Sequence, residues 1–138
     1  WIEGRIMKTI PTLLVSLSIA TLALVTDIPT VQAQSKPTCS VRDGVNFHRQ
    51  KNYGKAFECW DQHARKGSSA AQFNIARMYI LGEGVPRSTV EAYKWLTIAD
   101  RSGRPEARKT LAGLRAKMTP EQLEESRKRV QQFYTSTR

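Results

Sequence analysis

The stretch AAQFNIARMYILGEGVPRSTVEAYKWLTIADRSG, residues Ala70–Gly103, decides the fold of this 138-residue chain. Apolar residues recur at helical spacings on both sides of its Gly-Glu-Gly sequence, which predicts two amphipathic helices joined by a loop. The inward-facing positions are Ala71, Ile75, Tyr79, Val85, Ala92, Trp95 and Ala99. Gly82 and Gly84 tolerate the positive φ angles that end a helix and turn the chain. The stretch therefore predicts a helical hairpin.

The second helix of this hairpin carries its own boundary signals. Ser88 is a good N-cap, and Glu91 follows three residues later, where its side chain can reach back to the backbone N–H of Ser88. Arg101 and Gly103 are typical of the end of a helix. We therefore expect a capping box at Ser88 and a helix that ends near Arg101.

The pattern recurs at an offset of 36 residues. The matching pairs are Ala56 with Ala92, Cys59 with Trp95, Gly67 with Gly103, Ala71 with Ala107, Ile75 with Leu111 and Ala76 with Ala112. A fixed period in this range is typical of stacked helix pairs, each too small to bury its own apolar face. The chain is therefore predicted to be all-α and built from repeats.

At these positions the chain resembles the Sel1-like repeat family, relatives of the tetratricopeptide repeats. The residues that match the family motif are Ala71, Ile75, Tyr79, Gly82, Gly84, Val85, Ala92, Trp95, Ala99, Gly103 and Ala107. Ala76 stands where the motif often has glycine, and Ser88 stands where it often has aspartate. The resemblance covers roughly residues 40–118. It implies a short α/α solenoid of about three antiparallel helix hairpins, with the repeat domain at residues 41–138.

Two further helix pairs are predicted to flank the central hairpin. They cover residues 41–50 and 53–66 before it and residues 105–117 and 120–134 after it. Thr119 gives the clearest helix start, because a proline follows it and Gln122 can complete a capping box. In the first pair, the small residues Gly44 and Ala56 let the helices approach closely, and nearby aromatic side chains fill the core. The charged last pair suits the polar end of an array.

The sequence before the repeats has three parts. Residues 1–6 contain Ile-Glu-Gly-Arg, a protease site typical of an expression tag, and are excluded from the fold. Residues 7–33 combine one lysine, an apolar segment and a Val-Gln-Ala cleavage pattern, which predicts a signal peptide; the alternative is an uncleaved membrane anchor. Residues 34–40 form a linker. We therefore expect export to the periplasm or the cell exterior, with one small domain left after cleavage.

The formal net charge of the chain is +10. For an exported protein, this charge favours acidic proteins, anionic lipid or polysaccharide as partners, and cytosolic nucleic acid is excluded. Basic residues concentrate in the last third of the chain, although solvation of outer helix faces accounts for most such residues. Two hypotheses about the role of the charge follow. It either flanks a protein-binding groove, or it binds an anionic surface directly.

Cys39 and Cys59 are the only cysteines of the chain. An oxidising compartment favours a disulfide between them, and the alternative is that Cys59 is an ordinary buried thiol at the position equivalent to Trp95. A metal site would require His48 and His63 as additional ligands, but the closely spaced ligand pairs of structural zinc sites are missing. We therefore predict neither a metal nor a cofactor.

No sequence motif for catalysis is present. The chain has no Gly-rich phosphate loop, no G-x-S-x-G and no H-E-x-x-H. Gly82 and Gly84 alone are a weak signal for phosphate binding, because the predicted turn already explains both glycines. Glu83, the residue between them, is the only carboxylate of this loop. We therefore expect the protein not to be an enzyme.

The resemblance implies a recognition surface on the first helix of each hairpin, which lines the concave face in tetratricopeptide-like arrays. The exposed positions of those helices are expected to be Val45, His48, Arg49, Phe73, Arg77, Ile80, Lys109, Ala116 and Lys117. This surface would suit an extended or helical protein segment with acidic flanks. Phe73 and Ile80 have an alternative assignment, burial between neighbouring repeats.

The resemblance implies an exported adaptor or scaffold, either a monomer or a subunit of a larger complex. The alternative function is a basic module that binds anionic membrane lipid or polysaccharide through the last third of the chain. On that hypothesis, a membrane is contacted only through this basic surface or through an uncleaved signal segment.

Overall fold

The computed structural model describes residues 39–137, and within them the chain is all-α, with no strand. The helices are α1 (Val41–Arg49), α2 (Tyr53–Arg65), α3 (Ser69–Leu81), α4 (Thr89–Arg101), α5 (Pro105–Arg115) and α6 (Pro120–Ser136). The all-α prediction is confirmed, and the predicted helix ends agree with the observed ones to within about two residues, the usual uncertainty of helix ends. None of these helices is both long and apolar enough to cross a lipid bilayer.

The predicted tag (residues 1–6) and signal peptide (residues 7–33) lie outside the described residues. So do residues 34–38 of the predicted linker. Its last two residues, Cys39 and Ser40, are described and belong to the folded domain. The Ser40 hydroxyl accepts a hydrogen bond from the backbone N–H of Asp43, whose carboxylate accepts one from the backbone N–H of Ser40. This capping box fixes the start of α1.

From α1 to α5, each helix packs against the next one along the chain, whereas α6 packs on α4. The fourth helix therefore contacts three others, α3, α5 and α6. Its core residues are correspondingly well covered: Trp95 is 3% exposed, and Leu96 and Ala99 are fully buried. The core extends from α2 through α3 to α4 and closes with Ala107 of α5.

Side-chain caps account for most helix starts. Asn52, Ser68, Ser88 and Thr119 each accept a hydrogen bond from the backbone N–H three residues later. The capping box predicted at Thr119 is confirmed, because the Gln122 side chain accepts from the backbone N–H of Thr119. At Ser88 only the serine half of the predicted box forms. The Glu91 carboxylate instead accepts from Lys94 and Arg129.

Glycine ends α3 as the sequence predicts. Gly82 has φ 73° and ψ 32°, a left-handed conformation, and its N–H donates to the carbonyl of Met78. Gly84 has φ 72°, and a Cβ there would lie 2.5 Å from the Cβ of Tyr53. Only glycine satisfies both constraints, so the α3–α4 loop can lie directly against the start of α2.

A disulfide joins Cys39 to Cys59, with the two Cα atoms 5.7 Å apart. It anchors the segment before α1 to the middle of α2. His63, one turn further along α2, donates from Nε2 to the carbonyl of Cys39 at 2.7 Å. The predicted disulfide is therefore observed, and Cys59 is not a free buried thiol. His63 binds the backbone of the same segment.

At the other end of the domain, ion pairs join α6 to α4, in addition to the contact of Phe133 with Trp95. The Glu91 carboxylate of α4 accepts from Lys94 on its own helix and from Arg129 on α6. Arg129 also pairs with Glu125 at 2.7 Å. Burial alone would raise the pKa of Glu91, but the hydrogen bonds from Lys94 and Arg129 outweigh burial and hold that pKa below its ordinary value. The charged form of Glu91 is therefore part of the α4–α6 contact.

Candidate functional site: a cavity between α1, α2 and α3

A cavity of about 210 Å³ opens between the first three helices. Its lining residues are Val45, His48 and Arg49 of α1, Trp60 of α2, and Asn74 and Arg77 of α3. Four of them, Val45, His48, Arg49 and Arg77, were expected from the sequence to form a recognition surface. The structure thus brings four predicted residues from two helices to one place.

Helical spacing explains why these side chains converge. Val45, His48 and Arg49 are three and four residues apart on α1, so they share a face. Asn74 and Arg77 have the same relation on α3. The indole of Trp60, only 3% exposed, lies between the two faces and forms part of the cavity wall.

Gly44 determines how closely α1 approaches Trp60. A Cβ at residue 44 would lie 2.7 Å from Cδ1 of the Trp60 ring, well inside van der Waals contact. The close approach lets Trp60 Nε1 donate to the carbonyl of Val41 at 3.0 Å. The wall of the cavity is therefore fixed by both packing and a hydrogen bond.

Three contacts orient the ring of His48. Its Nε2 donates to Oε2 of Glu83 at 2.7 Å, which links α1 to the α3–α4 loop. The ring centroid lies 5.2 Å from that of Tyr53, edge to face, and 5.6 Å from that of Trp60. The side chains of His48 and Glu83 are each 28% exposed. His48, which lines the cavity, is therefore held by a polar pair that still meets solvent.

The rim of the cavity is positively charged. Arg49 and Arg77 are exposed, and within residues 39–137 neither forms an ion pair. The carboxylate of Glu83 accepts a hydrogen bond from His48 and is therefore already paired within the protein. A planar guanidinium can donate two parallel hydrogen bonds to a carboxylate, which makes this rim suited to an acidic group.

The other predicted recognition residues lie elsewhere. Phe73 is half-buried against the core, with the Arg104 guanidinium 5.4 Å from its ring centroid. Ile80 is also half-buried and packs on the core. Lys109, Ala116 and Lys117 are exposed, but they do not line the cavity. The predicted surface is thus divided. The predicted residues of α1, together with Arg77, line the cavity, whereas Phe73 and Ile80 of α3 pack mainly on the core.

Three residues of the site were not assigned to it from the sequence. Trp60 was assigned only to the core, although it is also part of the cavity wall. Asn74 lies three residues before Arg77, so helical spacing from a predicted residue could have found it. Glu83 was assigned only to a turn, and no sequence signal pairs it with His48, which is 35 residues away.

The chemistry available in the cavity is hydrogen bonding and charge recognition. Its six lining side chains include no hydroxyl or thiol. Within residues 39–137, no three His, Cys, Asp or Glu side chains come together in a way that could hold a metal ion. The site offers guanidinium donors, an amide and an aromatic wall, and arginine and tryptophan are enriched where proteins recognise other proteins.

Comparison with known proteins found no matching family model, no matching curated protein and no matching solved structure.

Proposed function

We propose that this protein is an exported, non-enzymatic adaptor that binds an acidic segment of a protein partner at the cavity between α1, α2 and α3. The observation that carries the proposal is the convergence of His48, Arg49 and Arg77 in one cavity beside the buried indole of Trp60. The helices would form a short Sel1-like stack of hairpins that presents this cavity.

The positions of the helices support the stacked arrangement. An offset of 36 residues carries the bounds of α2, Tyr53–Arg65, onto those of α4, Thr89–Arg101. The same offset carries the start of α3 onto the start of α5. Gly67 and Gly103, related by this offset, both follow a helix and have φ angles of 92° and 88°. A repeating unit of one helix pair would produce these coincidences.

Burial follows the same period in its core positions. Ala56 and Ala92 are both fully buried, as are Ala71 and Ala107. Small residues at these places let neighbouring helices approach closely. Ala76 is fully buried, but its equivalent Ala112 is exposed. The exposure of Ala112 fits a position near the end of an array, where no further repeat packs against the helix.

The last helix departs from a regular stack. α6 packs on α4 rather than extensively along its neighbour α5. Ser126, fully buried on α6, makes this close approach possible, and its hydroxyl donates to the carbonyl of Gln122 at 2.7 Å. We infer that α6 closes the end of the stack and leaves the α1–α3 cavity open at the other end.

The disulfide supports an exported protein. A disulfide persists in the periplasm or outside the cell and is rare in the cytosol. The Cys39–Cys59 bond is compatible with the compartment to which the predicted signal peptide would send the chain.

The alternative function, binding of an anionic surface by the last third of the chain, has weaker support. Several basic side chains of that region are paired within the protein: Arg108 with Asp100, Arg104 with Glu106, and Arg129 with Glu91 and Glu125. Each pairing reduces the positive charge available to a surface. Salt separates the two functions, because surface attraction weakens steeply towards about 0.15 M ionic strength, where the screening length is about 8 Å.

Charge reversal at the rim tests the proposal. The immobilised full-length chain is incubated with a periplasmic extract at about 0.15 M salt, and captured proteins are quantified by mass spectrometry. Arg49→Glu with Arg77→Glu should reduce capture of a specific protein by about tenfold or more, since two carboxylate contacts are lost. Phe73→Ala and Ile80→Ala are poorer tests, because both side chains support the core.

The matched control reverses the same number of charges elsewhere. Arg115→Glu with Lys128→Glu changes exposed residues of α5 and α6 that do not line the cavity. This variant should retain the captured protein, and circular dichroism should show that both variants are folded. Equal capture by both variants and the unmodified chain, or no specific capture by the unmodified chain, would rule out the cavity as the binding site.

A further inference from the structure

A second and larger groove lies between α4 and α6, with a volume of about 620 Å³. Its lining residues are Tyr93, Thr97 and Arg101 of α4 and Arg127, Val130, Gln131, Tyr134 and Thr135 of α6. None of them lines the α1–α3 cavity. The α4 members recur every four residues, so they form one stripe along the helix, and the α6 members form a facing stripe.

The charges that line this groove are all positive. Arg101 and Arg127 are its two charged residues, and no carboxylate lines it. Arg101 forms no ion pair within residues 39–137; its guanidinium lies 5.4 Å from the ring centroid of Tyr134. Arg127 has only an exposed contact with Glu124, at 3.7 Å, and such pairs contribute little. Both guanidinium groups therefore remain able to bind an anion.

The groove also has unused hydrogen-bonding capacity and an apolar region. Thr97 donates its hydroxyl proton to the carbonyl of Tyr93 at 2.8 Å, and Thr135 donates to that of Gln132 at 3.0 Å. Their oxygens can still accept hydrogen bonds from a ligand's N–H groups. Val130, 5% exposed, and the half-buried ring of Tyr93 give the groove an apolar part of its lining.

We propose that the α4–α6 groove binds an acidic peptide segment of a partner protein, as a second site separate from the α1–α3 cavity. The carboxylates of the peptide pair with Arg101 and Arg127, and an intervening apolar side chain packs on Val130 and Tyr93. The threonine hydroxyls accept hydrogen bonds from peptide N–H groups. Tyrosine and arginine are the residues that most often dominate the binding energy of protein interfaces.

Charge complementarity and shape favour a peptide over other anions. A bilayer surface cannot enter a groove between two helices, whereas a single extended chain can. A sugar ring stacks on a flat aromatic face, and Tyr134 offers a poor one, because Arg101 covers one face of its ring and the ring of Phe133 meets it edge to face at 5.5 Å. The apolar side chain of Val130 instead fits an aliphatic side chain.

Fluorescence anisotropy with defined peptides tests the proposal. The probe is a labelled peptide of sequence Glu-Leu-Glu-Glu-Leu-Glu, added to the full-length chain, and its neutral counterpart is Gln-Leu-Gln-Gln-Leu-Gln. We expect the acidic peptide to bind about tenfold more tightly than the neutral one, because charge-assisted contacts to arginine are stronger than neutral hydrogen bonds. Arg101→Gln with Arg127→Gln should remove this preference at the groove, so the acidic peptide should no longer change the chemical shifts of the groove residues.

Two control variants make the result specific. Arg42→Gln with Arg115→Gln removes the same charge from exposed positions outside the groove and should change the affinity by less than about twofold. Arg49→Gln with Arg77→Gln alters the α1–α3 cavity, which is itself proposed to bind acidic segments. This variant should keep the binding that depends on Arg101 and Arg127, so failure of one site is distinguishable from failure of the other. Chemical shift changes should map to Thr97 and Tyr134.

Three outcomes would overturn the proposal. The first is no measurable binding of the acidic peptide by the unmodified chain. The second is an equal loss of affinity in the Arg101/Arg127 and Arg42/Arg115 variants, which would indicate attraction by net charge alone. The third is tighter, arginine-dependent binding of alginate oligomers or phosphatidylglycerol vesicles in parallel titrations, which would replace the peptide by a polysaccharide or a lipid.

Discussion

The two ends of the domain are held by different kinds of bond. At the α1 end, a disulfide, the buried indole of Trp60 and the absence of a side chain at Gly44 fix the first helix on the second. At the α6 end there is no disulfide, and an ionic cluster, in which Glu91 of α4 accepts from Lys94 and from Arg129 of α6, accompanies the packing. The first end adds a covalent bond to its packing, and the second end adds an ionic cluster to the contact of Phe133 with Trp95.

This difference indicates which conditions affect each end. A disulfide and close packing respond to redox state and to side-chain volume, but little to pH or salt. An ion pair that is only partly buried weakens when its carboxylate is protonated and when salt screens it. Because the α1–α3 cavity belongs to the first end, we expect its Trp60 wall to depend on redox state and on packing.

Removing the disulfide should have the largest effect. The Cys39→Ser with Cys59→Ser variant opens a loop with a sequence separation of 20 residues, which corresponds to about 3 kcal/mol of lost stability on the loop-entropy model. Urea unfolding of the variant and of the unmodified chain measures the difference. The control is Cys39→Ser alone, compared with the unmodified chain when reductant is present for both. It measures the effect of replacing a thiol by a hydroxyl when no disulfide can form. A loss below about 1 kcal/mol would show that the disulfide does not hold the first end.

Adding a methyl group at Gly44 should have the next largest effect. In Gly44→Ala the new Cβ would overlap the Trp60 ring, and overpacking of this kind costs about 1–3 kcal/mol. Gly113→Ala on α5 is the matched control, because nothing lies within 4 Å of a Cβ there. That change should stabilise the protein by up to about 1 kcal/mol through helix propensity. If both substitutions shift the thermal midpoint in the same direction, the close contact of α1 with Trp60 does not determine the effect of a side chain at residue 44 on stability.

Neutralising Glu91 should have a smaller effect that depends on pH. The folded-state pKa of Glu91 lies below its ordinary value of 4.5, so its charge adds stability above about pH 4.5, and that contribution is lost as pH falls through the folded-state pKa. We expect Glu91→Gln to cost about 1.5–2 kcal/mol at pH 7, typical of hydrogen bonds to a charged group. The difference from the unmodified chain should shrink as pH falls below about 4.5.

Glu124→Gln provides the control for this prediction. The Glu124 side chain is 60% exposed and lies 3.7 Å from Arg127, so its loss should change stability by less than about 0.5 kcal/mol at any pH. Denaturant titrations at pH 7 and pH 3 compare the two variants. A pH-independent cost of Glu91→Gln would show that the side chain acts by packing and not by charge.

Local signals made most of the secondary structure predictable. Signals that involve only three or four neighbouring residues predicted helix boundaries that are observed. Examples are the capping box of Thr119 and Gln122 and the glycines after α3, Gly82 and Gly84. The pairing of Cys39 with Cys59 was also favoured by the sequence, because these are the chain's only two cysteines. These features depend on chemistry that the sequence shows directly.

Contacts between distant residues could not be predicted in this way. Glu91 was assigned to a capping box, but Arg129, 38 residues away, binds its carboxylate. Glu83 was assigned to a turn, but it pairs with His48. In both cases a helix or loop that comes close only in the fold supplies a partner whose charge outweighs the local alternative. Phe73 and Ile80 show the same limit, because their burial depends on which helix packs next.

Native-state hydrogen exchange in the presence and absence of reductant tests most directly whether the ends of the domain are held independently, as a stack of hairpins requires. We predict that reduction of the Cys39–Cys59 bond greatly speeds amide exchange in α1 and the adjoining half of α2 and leaves exchange in α4 and α6 unchanged, because stability in a stack is local. A uniform increase from α1 to α6 would contradict it and indicate one cooperative bundle.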